Sequence, residues 1–261
     1  MPRVRHRRAA TVALAALLMA LGAAAPAPAE VSSSFSSSVL LVRQPPARPW
    51  SVKLRVGAQF ADTDGIDVQP VLQRLVFHVP DATVNAAGVP TCSADPIVSV
   101  ANSYDPCPPR LAVGAGTSDV QLRRPLGIDL HGHPQGYAYH LRLAMYVGPR
   151  TGGGRVLMII GNGVNSPMTV IMRGLLRRDG TGGWTYDLPI PLIRDPQIGV
   201  MKVERFAMSV GDWTRAHPRR WFLEAPRTCP PTGFAFTMDA LFEGVAPLST
   251  TRRTPCELLG V

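Results

Sequence analysis

Three clusters of side chains in this 261-residue chain have the types and spacing that chemistry requires. In Asp62-Thr63-Asp64-Gly65-Ile66-Asp67, three carboxylates surround a glycine, as in a fragment of a calcium loop. A hard cation takes about six to eight oxygens, and an EF-hand-type loop needs a further acid at its twelfth position, which here is Gln73. Asp and Gly are also ordinary turn formers after a strand, so Asp62, Asp64 and Asp67 read first as a turn and only second as a cation site. His131 and His133, with His140 further on, offer three imidazoles to zinc if the chain folds back on itself. The local Gly-His-Pro instead reads as a hairpin loop, with His140 on the polar face of the strand that follows.

The third cluster is Cys92, Cys107, Cys229 and Cys256. No C-x-x-C spacing exists, which argues against a metal centre. In an exported chain these residues are expected as disulfides, and proximity favours 92–107 and 229–256. Other reactive constellations are missing from the sequence. There is no G-x-S-x-G elbow, and oxidised cysteines offer no thiol nucleophile. Gly152-Gly153-Gly154 and Gly161-Asn162-Gly163 read as hairpin turns, because no dinucleotide fingerprint or following helix accompanies them. Asp187 and Glu204 sit on candidate strands, where a glycoside hydrolase built on a concave sheet carries its paired carboxylates. The same charges belong on any solvated sheet face. Trp50, Trp184, Trp213 and Trp221 are too scattered to form a sugar platform. No catalytic residue and no cofactor is assigned.

The elements that would position these residues follow a period of two. Val52, Leu54 and Val56 alternate with Lys53 and Arg55; Tyr137, Tyr139, Leu141, Leu143, Met145 and Val147 share one face, opposite His140 and Arg142. Leu72 to Val79, Arg155 to Ile160, Met168 to Leu176, Trp184 to Ile190, Val200 to Val210 and Phe234 to Phe242 are further strands, divided by Gly and Pro turns. No long amphipathic helix with caps is visible. The expected fold is all-β, an antiparallel β-sandwich or jelly-roll-like single domain with two disulfides.

Charge and composition locate the protein rather than its activity. The net charge is +9, yet Arg3, Arg5, Arg7 and Arg8 precede an apolar run, Ala9 to Ala25, and then Ala27-Pro28-Ala29. A basic start, an apolar centre and an A-x-A site make a secretory signal peptide over 1–29, cleaved after Ala29. No other stretch is long and apolar enough to be read as a membrane-spanning helix. The mature chain keeps a balance of +5, with Lys53 and Lys202 its only lysines. Its arginine pairs lie far apart, and no basic stripe is interleaved with aromatics, so nucleic acid is not an expected partner. Residues 30–49, rich in Ser and Pro, read as a flexible N-terminal segment, and the folded domain spans 50–261.

Gly88-Val89-Pro90-Thr91-Cys92-Ser93, then Cys107, then Leu111-Ala112-Val113-Gly114-Ala115-Gly116-Thr117 resemble a group of secreted actinobacterial proteins. That group carries a "GLPTCS" segment, a second Cys and an "ALVGSGT"-like strand entry. Asn165-Ser166-Pro167, Thr228-Cys229-Pro230 and Cys256 extend the resemblance from about Phe60 to Cys256. The last hairpin departs from it, with Glu243-Gly244 in place of Asp-Gly. The resemblance implies a secreted all-β domain and carries no catalytic or binding residue with it. Together these readings lead to the expectation of a non-catalytic extracellular or cell-envelope protein, binding a glycan, a lipid or another protein, or serving a structural role. The alternative is a glycan-active hydrolase.

Overall fold

Period-two segments pair as strands, and here they pair into one continuous sheet. The computed structural model of the chain describes residues 31–42, 50–62, 70–80, 82–86, 89–99, 104–128, 134–164, 166–192, 194–195, 199–211, 222–225 and 229–259. The first strands are β1 (Val31–Val42), β2 (Trp50–Asp62), β3 (Leu72–Val79), β4 (Thr83–Val84) and β5 (Ile97–Ser99). A 3-10 turn, Pro109–Leu111, leads into β6 (Gly114–Ile128), β7 (Pro134–Thr151), β8 (Gly154–Gly163), β9 (Thr169–Arg178) and β10 (Trp184–Pro189). The chain ends with β11 (Arg194–Asp195), β12 (Gly199–Val210), β13 (Leu223–Ala225), β14 (Phe234–Phe242), β15 (Leu248–Thr254) and β16 (Cys256–Leu259). Among the described residues none is in an α-helix, and there is no helix long and apolar enough to cross a membrane.

The sheet runs β15-β14-β3-β10-β9-β8-β7-β6-β12-β2-β1-β16. Its two ends are the same stretch of chain, because β15 and β16 are separated only by Pro255. The β15 half pairs antiparallel with β14, while the β16 half pairs parallel with β1 through Val39–Val42 and Cys256–Leu259. Side chains complete the seam: the Arg252 guanidinium donates to the Phe35 carbonyl at 3.1 Å, and the Ser37 and Thr254 hydroxyls share a hydrogen bond. The sheet therefore closes into a barrel of eleven staves, counting β15–β16 as one. Closure removes the open edges that would otherwise template aggregation. The antiparallel all-β fold expected from the sequence is realised with its two apolar faces as opposite walls of this one sheet.

Strand alternation turns one face of every long stave inward. Phe35, Val39 and Leu41 on β1, Leu141 to Val147 on β7 and Phe234 to Phe242 on β14 are buried at every second position. On β12 the phase would fail, since Met201 and Val203 are two apart and so are Phe206 and Met208, but the two pairs differ in parity. A bulge between Val203 and Arg205 absorbs Glu204 and keeps both pairs facing in. The outward positions carry Lys53, Arg55, Asp119, His140, Arg142, Arg74, Asp187 and Asp239. A barrel with an apolar interior and a charged exterior is the inverse of a lipid-embedded one.

One sector is covered on both sides. Between β3 and β6 the chain leaves the ring: β4 pairs with β13, and further on Cys92, Ala94, Cys107, Leu111 and Ala112 pack over the outer face of β7–β9. The Cys92–Cys107 disulfide closes this excursion. Cys92 N–H donates to the Val147 carbonyl, β5 pairs with β9, and Tyr146, Met158, Ile160 and Ile171 are buried beneath. Burial on two faces is why Arg155 to Ile160 reads as a continuous apolar run rather than an alternating one. Cys229 is also disulfide-bonded. The side chain of Cys256, its expected partner, lies outside the described residues.

The expectation of a flexible segment before Trp50 is corrected over 31–42. These residues form β1, in register with β2 from Val31↔Asp62 to Val42↔Ser51. The serines hide a regular pattern, Val31, Phe35, Val39 and Leu41 inward with Ser32, Ser34 and Ser36 exposed. The stave β6 was likewise only glimpsed at its entry. Its inward face begins with Gly114, Gly116 and Ser118, which carry no apolar signal.

Candidate functional site

The inward side chains do not fill the barrel. An aromatic chain crosses its middle: Phe35 and Phe77 have centroids 6.4 Å apart, Phe77 and Phe206 meet edge-on at 5.8 Å, and Phe60 meets Phe242 edge-on at 5.4 Å. Beside it lies a cavity of about 130 Å³. Every stave but β15–β16 reaches it, among them Leu54 of β2, Leu143 and Met145 of β7, Ile159 of β8, Met172 of β9 and Met208 of β12. Apolar voids of ~150 Å³ in protein interiors stay dry and accept benzene-sized molecules. At ~24 cal/mol per Å³, an empty space of this size costs about 3 kcal/mol of stability. Four methionines on its wall, Met145, Met172, Met201 and Met208, supply a surface that reshapes readily around an apolar guest.

Few hydrogen-bonding side chains touch this space, and the deep ones are already engaged. Tyr186 lies over Gly174, where an added Cβ would sit 2.4 Å from the ring, and its hydroxyl donates to the Leu157 carbonyl at 3.3 Å. Burial, with Asp187 nearby, pushes the Tyr186 phenol well above its ordinary range. The Ser118 hydroxyl donates to the Arg205 carbonyl at 2.9 Å, and the Trp184 indole N–H donates to the Ala82 carbonyl at 2.6 Å. Among the described residues the cavity lining is otherwise almost entirely hydrocarbon.

The outer wall carries polar ladders. On β10, β3 and β14, Thr185 Oγ1 stands 3.4 Å from His78 Nδ1, and His78 Nε2 stands 3.1 Å from Asp239 Oδ2. The order hydroxyl, imidazole, carboxylate matches a nucleophilic triad in residue type. Thr185 is only 6% exposed, however, and its backbone lies between the β9 and β3 ladders, so no N–H there is free to form an oxyanion hole. The sequence gives no sign of this cluster, because its members are 54 and 107 residues from one another along the chain. Around the ring, Asp119 binds His140 at 2.6 Å and Arg205 at 2.9 Å. The His140 hydrogen bond, ahead of Arg205, holds the Asp119 carboxyl below the usual carboxylate range.

That places His140 on the polar outer face of β7. His131 and His133 lie outside the described residues, as do Asp64 and Asp67, and nothing is described of the Asp62 side chain. Among the described residues no group of three His, Cys, Asp or Glu is arranged to hold a metal ion. Asp187 and Glu204 are not brought together: five pairing steps separate β10 from β12, and Asp187 is bound by both nitrogens of an Arg74 fork. Of the tryptophans, Trp184 faces the cavity with Arg178 stacked 4.8 Å from its ring centroid. The cavity has no signal in the sequence because nearly every residue that lines it reads as ordinary core. Fold and cavity together define a closed all-β barrel with an apolar chamber. No family model, curated protein or solved structure matches the chain.

Proposed function

We propose that this is a secreted, non-catalytic binding protein that holds an apolar molecule, or the hydrocarbon part of a larger one, inside its barrel. The observation that carries the reading is the apolar cavity of about 130 Å³ lined by ten of the eleven staves of the closed sheet. A space that costs stability when empty regains it when a hydrocarbon fills it. Export fits the basic-apolar-AxA leader and the Cys92–Cys107 bond, and lipids of the cell envelope or its surroundings supply ligands of this chemistry. Its likeness to secreted actinobacterial proteins, carried by the cysteine neighbourhoods, belongs to the same proposal, as does the Cys229–Cys256 pairing.

The test uses the mature chain and 1-N-phenylnaphthylamine, whose fluorescence rises in apolar surroundings. The expected result is saturable uptake of about one probe per chain, with unfolding shifted to higher urea when it is bound. Uptake that never saturates, or that leaves the unfolding midpoint in place, would overturn the reading.

A further inference from the structure

A second concavity lies on the outside of the barrel. Across β1, β2, β12 and β6 the register sets Ser36, Gly57, Ala207 and Thr117 side by side. The neighbouring row is Ser38, Arg55, Ser209 and Ala115. Alternation turns both rows outward, because Leu54, Val56, Ser118 and Met208 on the same strands line the interior. All but Arg55 are small, and together they floor a groove of about 550 Å³. A Cβ on Gly57 would stand 3.0 Å from Ser36 Oγ, so glycine there keeps the floor open. Three strand spacings of about 4.8 Å make each row roughly 14 Å long.

The groove offers positive charge and hydroxyls. Arg55 is exposed on its lining, and Arg142, also exposed, faces outward on β7 next to Thr117 at the far end. Among the described residues no acid pairs with either. Asp119, in the next row, is already held by His140 at 2.6 Å and Arg205 at 2.9 Å. The Ser36 hydroxyl donates to the Gly57 carbonyl at 3.3 Å, which leaves its oxygen able to accept. Beside Arg55, the Ser209 hydroxyl oxygen is buried and has no hydrogen-bond partner. Buried polar groups are ordinarily bonded, so an orphaned one in the lining points to a ligand.

The lining also narrows the class of ligand. It holds no Phe, Tyr or Trp, so nucleic-acid bases find no platform on which to stack. β2, β12 and β6 are paired on both sides, which leaves no free strand edge there for a peptide backbone. Hydroxyls that donate and accept, set between two arginines, suit a chain that is rich in hydroxyls and carries acid groups. We infer that the groove is a second binding site, for an acidic polysaccharide. Ser36, Ser209 and Thr117 bond its hydroxyls, and Arg55 and Arg142 bind its carboxylates. The site does not depend on the apolar chamber.

The experiment titrates the mature protein into fluorescein-labelled hexagalacturonate and follows polarisation. Saturable binding is expected, weakening as salt rises. An exposed ion pair is worth up to about fivefold in affinity, so Arg55→Ala and Arg142→Ala are each expected to weaken binding about fivefold. Ala207→Trp, which fills the floor at an exposed position, is expected to abolish binding while leaving the urea midpoint in place. Arg177→Ala, an exposed arginine on β9 across the ring, is expected to bind as the unaltered protein does. Unlabelled maltohexaose, which has no acid, is expected not to compete. Absence of saturable binding, or binding that survives Ala207→Trp, would overturn the assignment of the groove. An equal loss in Arg177→Ala, or equal displacement by maltohexaose or by oligothymidylate, would overturn the acidic polysaccharide as its ligand.

Discussion

Asp187 shows how a residue read as candidate chemistry becomes a structural one. On sequence it was half of a carboxylate pair; in the fold it faces Arg74 across the β10–β3 ladder, both guanidinium nitrogens on its two oxygens. The Arg74 hydrogen bonds, and then its charge, hold the Asp187 carboxyl below the usual range. A carboxyl with a depressed folded pKa adds stability that is complete above its unfolded value, ~3.9, and is lost as pH falls through the folded one. Asp119, held down by His140 and Arg205, acts with the same sign. Stability is therefore expected to be insensitive to these two carboxyls from pH 7 to about 5 and to fall below about 4. Urea midpoints across that range check it, and Asp187→Asn should flatten part of the acid slope at a cost of about 0.5–1 kcal/mol at pH 7, after solvent screening. A variant with an unchanged acid slope would show that the pair contributes nothing.

At the scale of elements, the disulfide-closed part of the excursion before β6 acts as a second layer over one sector of the wall. It has little apolar patterning of its own, and the Cys92–Cys107 bond supplies what packing does not. Closing a loop of this size constrains the unfolded chain by about 3 kcal/mol. Replacing both cysteines with alanine should lower stability by about that amount. Amide exchange should rise over 91–112 while β6 and β12 remain protected. Exchange rising equally across the ring would mean that the layer is not separable from the barrel. Tyr146, buried under this layer beside Cys107, has its phenol pushed up to about 12 by burial and by Asp105. The excursion's disulfide was legible in the sequence from spacing. Its docking on β7–β9 was not, because Tyr146 and Met158 look the same whether they face a core or a covering loop.

For the whole molecule the decisive event is closure by a single bent strand. β15–β16 crosses from β14 to β1 at Pro255, a residue that cannot donate to a ladder and so suits the corner. Leu258→Pro would remove an N–H from the closing segment while keeping Cys256. The expected result is a loss of about 1–3 kcal/mol, self-association through the freed edge, and reduced uptake of the apolar probe. Light scattering and probe titration report these together. A monomer with unaltered uptake would show that the seam is held by the β15 side chains alone.

The sequence by itself determined the strand class, through alternation at Val52–Val56, Leu141–Val147 and Phe234–Phe242, and the Cys92–Cys107 disulfide, through the proximity of the two cysteines. Period two reports that a segment has one dry face, a local property set by the pleat. Tertiary structure alone decided that the dry faces look at one another around a ring, that serine-rich 31–42 is a stave of it, and that the ring leaves a chamber. Those outcomes depend on which strands pair across distances of up to 217 residues, as at Ser37 and Thr254, and on how far the inward side chains reach. No local pattern encodes either. For the same reason the chamber is assembled from leucines, methionines and phenylalanines whose types invited no chemistry.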